Sequence, residues 1–516
     1  MRGGAFGEAL AAAAFLGGKV KSSYNVEFNL NKYLKTVQNA ETILYIGKVK
    51  AVNGLEILSE GPRSVIGEIC TIRITSLKKE MLAEVVGLEG TTVKLTAFGD
   101  TRGIEVGTEV VASGQTLQVP VGKGLLGRVI DAAGKPMDGK GDINAETTYP
   151  AQAPAPDALT RKENNRRITT GVRAIDSMLT VAAGQRLGIF AGSGVGKSTL
   201  ISMIARNTDA DINVIALVGE RGREAPDFIR RDLGEAGFKR SVVVLATSDM
   251  PSICRLRAAY VATAIAEYFR DKGKSVMLMF DSVTRFAQAQ REIGLAAGEP
   301  PAREGFPPSV FDMIPKLLER AGNNDKGSIT AFYTVLVEGD DMNGPIADTV
   351  RGVLDGHIVL DRKLAQAYHY PAIDVLASIS RLSRRVTGKK TREACGIVRQ
   401  WMATYQQNEL MITTGAYAKG SSPAIDAAIE KHDEIEEFLK QEETDACPMK
   451  DTLDKLAALT GIQIPEEEYV DKPAVAIPTV AQVVDARESG GPAVSVSQNA
   501  AGPSTVLGAD VAAGKA

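Results

Sequence analysis

The chain has 516 residues, which is too long for one hydrophobic core and predicts about two to four domains. Its formal net charge of -3 at pH 7 excludes a strong overall field for nucleic acid, and no apolar run reaches the ~18 residues of a membrane span. The four cysteines form no CxxC pair and the three histidines lack metal-ligand spacing, which is typical of a cytoplasmic protein with reduced thiols. A short apolar run at residues 9–16 follows only one basic residue, Arg2, and is a poor signal peptide.

The predicted structure changes twice within the first 120 residues. Residues 1–22 are Gly- and Ala-rich and predict a loose extension. Residues 26–41 carry apolar positions that suit a short amphipathic helix, either packed on the protein or docking a partner. Short strands follow, separated by glycine turns such as Asn53-Gly54, and predict a small β-barrel or sandwich. These strands are predicted at residues 43–52, 55–58, 66–74, 82–88, 91–97 and 109–112. We assign 23–120 to this N-terminal helix and barrel.

The middle of the chain alternates strands and helices. A Gly- and Pro-rich connector at 121–165 leads into a core at 166–385. Strands are predicted at 185–190, 213–218, 242–247, 275–280, 329–336 and 357–360, with helices such as 197–206 and 253–270 between them. This alternation predicts a mainly parallel sheet covered by helices. Helical spacing of apolar residues predicts a helical domain at 386–465, and composition predicts a disordered tail at 466–516.

A phosphate-binding loop is the strongest local motif. Residues 191–198, AGSGVGKS, follow a predicted strand and open a predicted helix, and they meet the GxxxxGK[ST] pattern except that Ala191 replaces the first glycine. Backbone N–H groups of such a loop cradle phosphates, the lysine neutralises them, and the hydroxyl that follows ligates Mg²⁺. The predicted nucleotide-binding residues are Gly192, Ser193, Gly194, Val195, Gly196, Lys197, Ser198 and Thr199. The cofactors predicted are therefore ATP and Mg²⁺.

Two acids follow predicted core strands. Asp281 ends an apolar strand at the edge where parallel sheets bind ligands, and it would hold Mg²⁺ together with Ser198. Glu220 ends a second strand and would position or deprotonate the attacking water. From local sequence alone, Glu220 is equally well explained as a surface acid in a charged loop with Arg221 and Glu224.

Several segments resemble the rotary ATP synthase family. They are TGVRAIDSML (170–179), AGSGVGKSTL (191–200), GERGRE (219–224), FDSVTRFAQAQREIG (280–294) and YPAIDVLASISR (370–381). Residues 298–322 and 327–366 are similar, within that family, to the ATPases of flagellar protein export and of type III injectisomes. The resemblance covers about residues 40–460. It implies an α/β P-loop NTPase (RecA-like) core with an N-terminal β-barrel and a C-terminal helical domain.

The resemblance also implies roles for individual residues. Glu220 matches the catalytic glutamate, Arg221 a residue that faces the γ-phosphate, and Arg381 the arginine finger given to the neighbouring subunit. Lys197, Ser198 and Asp281 match the P-loop pair and the Mg²⁺-holding acid, with Arg285 just beyond Asp281 in the same motif. Tyr370 matches an aromatic that packs on adenine, although locally a core tyrosine is the simpler interpretation.

The partners implied are a homohexameric ring, a regulator or stator protein, stalk and gate proteins, and complexes of export chaperones with cargo. The resemblance also implies a cytoplasmic protein in peripheral contact with the inner membrane. It does not imply nucleic acid as a partner. The predicted function is ATP hydrolysis that energises unfolding and export of flagellar proteins. Alternatives are an injectisome ATPase, a catalytic subunit of a rotary ATP synthase, a hexameric RNA helicase and a non-catalytic ring subunit. The tripeptide at residues 331–333 favours the flagellar branch. The barrel segment has few aromatics (Tyr45 and Phe98) and a balanced charge, which argues against a helicase that binds single strands.

Overall fold

The computed structural model describes residues 44–337, 339 and 341–469. The predicted extension at 1–22, the amphipathic helix at 26–41 and the tail from 470 onward lie outside these residues. Within the described part of the chain, no helix is both long enough and apolar enough to cross a membrane.

A closed barrel of six antiparallel strands forms the first part of the described chain. Buried apolar residues alternate with exposed ones along its strands, which gives the barrel an apolar interior and a polar outer face. The strands are β1 (Ile46–Asn53), β2 (Glu56–Glu60), β3 (Glu68–Ile74), β4 (Lys79–Glu89), β5 (Thr92–Ala97) and β6 (Glu109–Thr116), in the order β1-β2-β5-β4-β3-β6. The predicted β-barrel is confirmed.

The segment predicted as a connector begins at the last residue of β7 (Gln118–Val121) and contains two further strands, β8 (Arg128–Ile130) and β9 (Thr147–Pro150). β7 pairs with β9, whereas β8 joins the central sheet of the core by pairing in parallel with a strand more than a hundred residues later. A strand this short carries no readable periodicity, so the glycines around it dominated the sequence pattern. The segment therefore does more than connect two domains, because it completes one edge of the core sheet.

A nine-stranded sheet is the centre of the core. Its remaining strands are β12 (Arg186–Ala191), β13 (Ile212–Glu220), β14 (Ser241–Thr247), β15 (Ser275–Asp281), β16 (Gly322–Asn323), β17 (Ser328–Leu336), β18 (Gly356–Leu360) and β19 (Ile373–Ser380), while β10 (Arg167–Ile168) and β11 (Val181–Ala182) pair separately. The order is β19-β18-β12-β17-β15-β13-β14-β8, with β16 paired to β17. All pairs are parallel except β16 with β17 and β18 with β19. The predicted mainly parallel sheet is confirmed, and β19 is an antiparallel edge strand that the sequence analysis did not predict.

Helices cover both faces of this sheet and form the C-terminal part. They are α1 (Arg173–Met178), α2 (Lys197–Asn207), α3 (Glu224–Asp227), α4 (Gly234–Lys239), α5 (Ser252–Asp271), α6 (Val283–Ala296), α7 (Pro308–Leu318), α8 (Pro345–Val353), α9 (Arg362–Gln366), α10 (Ser383–Val386), α11 (Lys389–Thr413), α12 (Pro423–Leu439) and α13 (Met449–Thr460). The long helix α5 is buried along nearly its whole length, because it packs between the sheet and neighbouring elements. The predicted helical C-terminal region corresponds to α11, α12 and α13.

A buried ion pair joins the barrel to the core. Arg257 of α5 donates from Nε to Oε2 of Glu84 in β4 at 2.5 Å, and a second hydrogen bond joins its Nη2 to Oε1. Both side chains are buried, at 7% and 2% exposure. A desolvated pair of this kind holds only while both charges are present, because either charge alone is uncompensated. Glu84 therefore fixes the barrel against α5.

We expect Glu84→Gln to lower the free energy of unfolding by about 3–5 kcal/mol, because it leaves the buried Arg257 guanidinium without its counter-charge. Urea unfolding followed by circular dichroism checks this. The matched control is Glu60→Gln, which breaks the exposed 3.4 Å pair with Lys50 on the same barrel and should change stability by less than about 1 kcal/mol. Equal unfolding midpoints for the two variants would contradict the prediction.

Candidate active site

Parallel pairing brings the predicted site residues to one edge of the sheet. β12, β15 and β13 run in the same direction, so their carboxyl ends lie together. The P-loop follows β12, Asp281 ends β15 and Glu220 ends β13. Segments that are far apart in sequence therefore meet where α/β sheets bind ligands.

The P-loop backbone takes a shape that needs glycine. Gly194 and Gly196 have φ values of 79° and 95°, in the left-handed region that favours glycine. Gly196 caps the N-terminus of α2, while Val195 is buried in the core and anchors the loop. Ser193, Ser198 and Thr199 remain at least partly exposed. The free N–H groups at the start of α2 thus form a site for anionic phosphate groups.

Lys197 lies between the two predicted acids. Its Nζ is 2.5 Å from Asp281 Oδ1 and 3.3 Å from Glu220 Oε1. All three side chains are mostly buried, with exposures of 10%, 3% and 18% for Lys197, Asp281 and Glu220. The structure thus brings these three residues into contact, and their roles in catalysis and Mg²⁺ binding stay predictions.

Charge and burial shift the titration of this cluster. Burial raises the pKa of Glu220, and the nearby charge of Asp281 raises it further, while Lys197 acts in the opposite direction. Burial disfavours the charged form of Lys197, but Asp281 and Glu220 outweigh it and raise the pKa of the ammonium. Lys197 therefore stays positive, and Glu220 is a stronger base than an ordinary exposed glutamate.

Thr334 is a site residue that the sequence analysis missed. It is fully buried in β17, between the strand of the P-loop and the strand of Asp281. Its Oγ1 lies 2.8 Å from Asp281 Oδ1 and 3.2 Å from the Phe280 carbonyl. The available signal was a hydroxyl inside an otherwise apolar central strand.

The donor set beside the P-loop fits Mg²⁺, which prefers oxygen ligands. Among the described residues, the hydrogen bonds to the Asp281 carboxylate use Oδ1. Its Oδ2 and the exposed Ser198 hydroxyl, next to Lys197, therefore remain to hold a cation.

The two arginines near Glu220 lie differently. Gly219 has a φ of 71°, and a Cβ there would lie 2.8 Å from Cβ of Arg285, so the Arg285 side chain packs closely on the strand end that carries Glu220. Arg221 points elsewhere, because its side chain is 68% exposed and its Nη1 lies 3.4 Å from Glu224 Oε1. The stem of Arg285 thus lies beside the strand end that carries Glu220, while its Nη1 donates to Gln288 Oε1 at 3.0 Å, and Arg221 is directed away.

Tyr370 lines a large cavity beside the P-loop. The cavity has a volume of about 1010 Å³, and its wall includes Gly194, Gly196, Tyr370 and Phe438. Tyr370 is 38% exposed, so it is not a core residue. Its carbonyl accepts a 2.9 Å hydrogen bond from the backbone N–H of Gln441, which follows α12. The helical domain therefore supports the aromatic wall of the cavity.

Arg381 lies near the amino ends of the parallel strands, whereas the P-loop lies at their carboxyl ends. It follows β19, which runs antiparallel to β18, and its N–H donates to the Asp355 carbonyl at 3.0 Å, at the start of β18. The six residues of β12 lie between these amino ends and the P-loop, which is a distance of about 17–20 Å. An arginine side chain does not span that distance. Arg381 is exposed and cannot reach the P-loop of its own chain.

Family models match three consecutive parts of the chain. The ATP synthase alpha/beta family beta-barrel domain matches residues 49–114, its nucleotide-binding domain matches 171–380, and the T3SS EscN ATPase C-terminal domain matches 387–458. These matches agree with the barrel, core and C-terminal helices seen in the structure.

Curated relatives are similar to the chain over nearly their whole length. The flagellum-specific ATP synthase of Treponema pallidum is 55% identical over 84% of this chain and 97% of its own. The type 3 secretion system ATPase of Xanthomonas euvesicatoria is 50% identical over 80% of this chain and 94% of its own. The assembled ATPase EscN from the enteropathogenic E. coli type III secretion system has a TM-score of 0.76 at 44% identity, covering 80% of this chain and 100% of EscN. A structure of EscN with its central stalk EscO gives a TM-score of 0.75, at the same identity and coverage. The resemblance seen in the sequence is confirmed.

We expect Glu220→Gln to bind ATP but to hydrolyse it at least ~100-fold more slowly, because the amide cannot accept a proton from the attacking water. Retention of radiolabelled ATP and steady-state phosphate release measure the two steps separately. Glu224→Gln is the matched control, since it changes an exposed acid in the same loop and should leave turnover nearly unchanged. Loss of activity in both variants alike would show that the loop rather than the Glu220 carboxylate matters.

Proposed function

Since this chain belongs to the ATP synthase alpha/beta family, we propose that it hydrolyses Mg-ATP to energise the unfolding and export of flagellar proteins through a type III export apparatus. The observation that carries the proposal is the contact of Lys197 with both Asp281 and Glu220 beside a P-loop. The C-terminal match to a type III secretion ATPase favours export over a catalytic subunit of a rotary ATP synthase.

Each residue of the cluster has a proposed task. The N–H groups of residues 192–199 bind the phosphates, and Lys197 leaves its carboxylate partners to neutralise the β- and γ-phosphates. Loss of the Lys197 contact then frees the Glu220 carboxylate to orient the attacking water and accept its proton. Ser198 and Asp281, the latter oriented by Thr334, would hold Mg²⁺, which neutralises phosphate charge when bound. Tyr370 packs against the adenine.

Arg381 supports the proposal that sites are shared between subunits. It is exposed, and it lies too far from its own P-loop to act there. A homohexameric ring that places Arg381 against the neighbouring P-loop would supply positive charge where it develops on the transferring phosphoryl group. Arg221 would face the same phosphoryl group after releasing Glu224.

The proposed partners are those of an export ATPase. They are a central stalk, as EscO is for EscN, together with a regulator or stator, a gate protein and chaperone–cargo complexes, at the cytoplasmic face of the inner membrane. Nucleic acid is not among them. Residues 331–333, which favoured the flagellar branch by sequence, are buried in β17 and cannot contact a partner. The 50% identity to a type 3 secretion system ATPase supports an injectisome role as the second candidate.

We expect ATP turnover per chain to rise with protein concentration, because a shared site is complete only in an oligomer. Phosphate release by the purified chain, measured across concentration with mass photometry in parallel, checks this. Lys197→Ala should be inactive at every concentration. Turnover that stays constant while the protein is monomeric would overturn the shared site, and folded protein that binds ATP without any turnover would favour a subunit that needs a different partner.

Rings that mix Lys197→Ala with Arg381→Ala subunits should recover turnover that neither variant shows alone. In such rings, an intact P-loop from the Arg381→Ala subunit meets an intact finger from the Lys197→Ala subunit. Differently tagged subunits, co-purified and assayed for phosphate release, provide the measurement. Arg384→Ala, which changes an exposed arginine three residues after Arg381, should be active in rings that contain this variant alone. Absence of recovery in verified mixed rings would exclude Arg381 as a finger acting between subunits.

A further inference from the structure

A buried amide lies directly behind Arg381. Gln185 is completely buried and immediately precedes β12. Its Nε2 donates to Ser380 Oγ at 3.0 Å and to the Asp355 carbonyl at 3.2 Å, while its Oε1 accepts from the Ala182 N–H at 2.9 Å. One side chain thus contacts the residue before Arg381 and the carbonyl that accepts the Arg381 N–H.

Ser380 and Asp355 are themselves held in place. The Ser380 hydroxyl is 2.9 Å from the Thr180 carbonyl, which ties the end of β19 to the segment before β11. The Asp355 carboxylate accepts from the backbone N–H of Arg186 at 3.0 Å and from its guanidinium at 3.2 and 3.3 Å. Both Ser380, which precedes Arg381, and Asp355, whose carbonyl accepts the Arg381 N–H, are therefore bonded to the start of β12, even though the Arg381 side chain is exposed.

We propose that Gln185 and Ser380 are positioning residues for Arg381, which hold its backbone so that the guanidinium is presented to the neighbouring subunit's phosphoryl group. The proposal rests on the proposed role of Arg381 as a finger acting between subunits. An exposed arginine on a mobile backbone would lose both side-chain and backbone conformational entropy when it binds the phosphoryl group. An arginine on a fixed backbone loses only the side-chain part at that moment, because its backbone is already ordered.

The same geometry explains why the network needs polar side chains. A buried amide or hydroxyl is stable only when hydrogen-bonded, so Gln185 and Ser380 each define the other's position. The network acts in the subunit that donates the finger, not in the subunit that binds the nucleotide. A substitution in it should therefore affect turnover according to which subunit carries it.

The test places Ser380→Ala in one or the other partner of a mixed ring. In the first ring, Arg381→Ala subunits supply the P-loop and Lys197→Ala/Ser380→Ala subunits supply the finger. In the second ring, Arg381→Ala/Ser380→Ala subunits supply the P-loop and Lys197→Ala subunits supply the finger. Relative to the ring without Ser380→Ala, we expect kcat to fall about tenfold in the first ring and to stay within twofold in the second. KM for ATP should change little in either ring, because the finger acts in the transition state.

Ser241→Ala is the matched control. Ser241 is also fully buried at the start of a core strand, and its hydroxyl joins a side-chain amide, Asn213, to the Gly237 carbonyl. Placed in the finger-donating subunit, it should leave kcat nearly unchanged. Gln185→Met, which keeps side-chain length without the amide, should reproduce the dependence on which subunit carries the change.

The possible outcomes separate the two hypotheses. A fall in both Ser380→Ala rings, or in neither, would overturn the positioning role while leaving Arg381 as a finger. Failure of the starting ring, without Ser380→Ala, to recover turnover would instead overturn the finger itself and the positioning role with it. A fall confined to the ring in which the finger-donating subunit carries Ser380→Ala is the result that supports the proposal.

Discussion

Parallel pairing of β12, β17, β15 and β13 is the constraint on which the site depends. It places the ends of strands that are widely separated in sequence at one edge of the sheet. Because parallel strands need long crossovers, helices must cover both faces, and the strands between them become continuous buried apolar runs. Polar residues are then tolerated mainly at strand ends or where they are hydrogen-bonded. Lys197, Asp281 and Glu220 satisfy one another at that edge, and Thr334 is satisfied by Asp281.

Buried polar side chains also join the parts of the chain that flank the core. Arg257 binds Glu84 of the barrel, and Arg320, nearly inaccessible to solvent, binds Glu267 while donating to the Ala151 carbonyl of the segment before the core. On the other side, Gln441 accepts from the Arg173 N–H and donates to the Gly171 carbonyl. Apolar packing alone would let these parts slide, whereas such bonds are directional and costly to leave unmade. The cavity beside the P-loop, whose wall includes residues of the core and of the helical region, depends on this fixed arrangement.

Strand β12 has a different task at each end. Its carboxyl end leads into the P-loop, and its amino end is bonded through Gln185 and Arg186 to the segments that carry Arg381. In a ring, one strand would then connect the nucleotide site of a subunit to the finger that it offers to its neighbour.

The amino-acid sequence by itself determined the local features of this protein. Glycine spacing at 192–196, the strand before it and the helix after it define the P-loop, and Asp281 and Glu220 were found because they end apolar strands. What the tertiary structure alone decided depends on partners distant in sequence. β8 belongs to the core sheet only because it meets β14, and Thr334 belongs to the site only because β17 lies beside Asp281. The antiparallel course of β19 removes Arg381 from its own P-loop, and the exposure of Arg221 follows from a loop rather than from its motif. Backbone propensity and the periodicity of apolar side chains can be read from the local sequence. Which strands become neighbours, and at which end of the sheet a residue lies, depends on packing between distant segments, which no local pattern encodes.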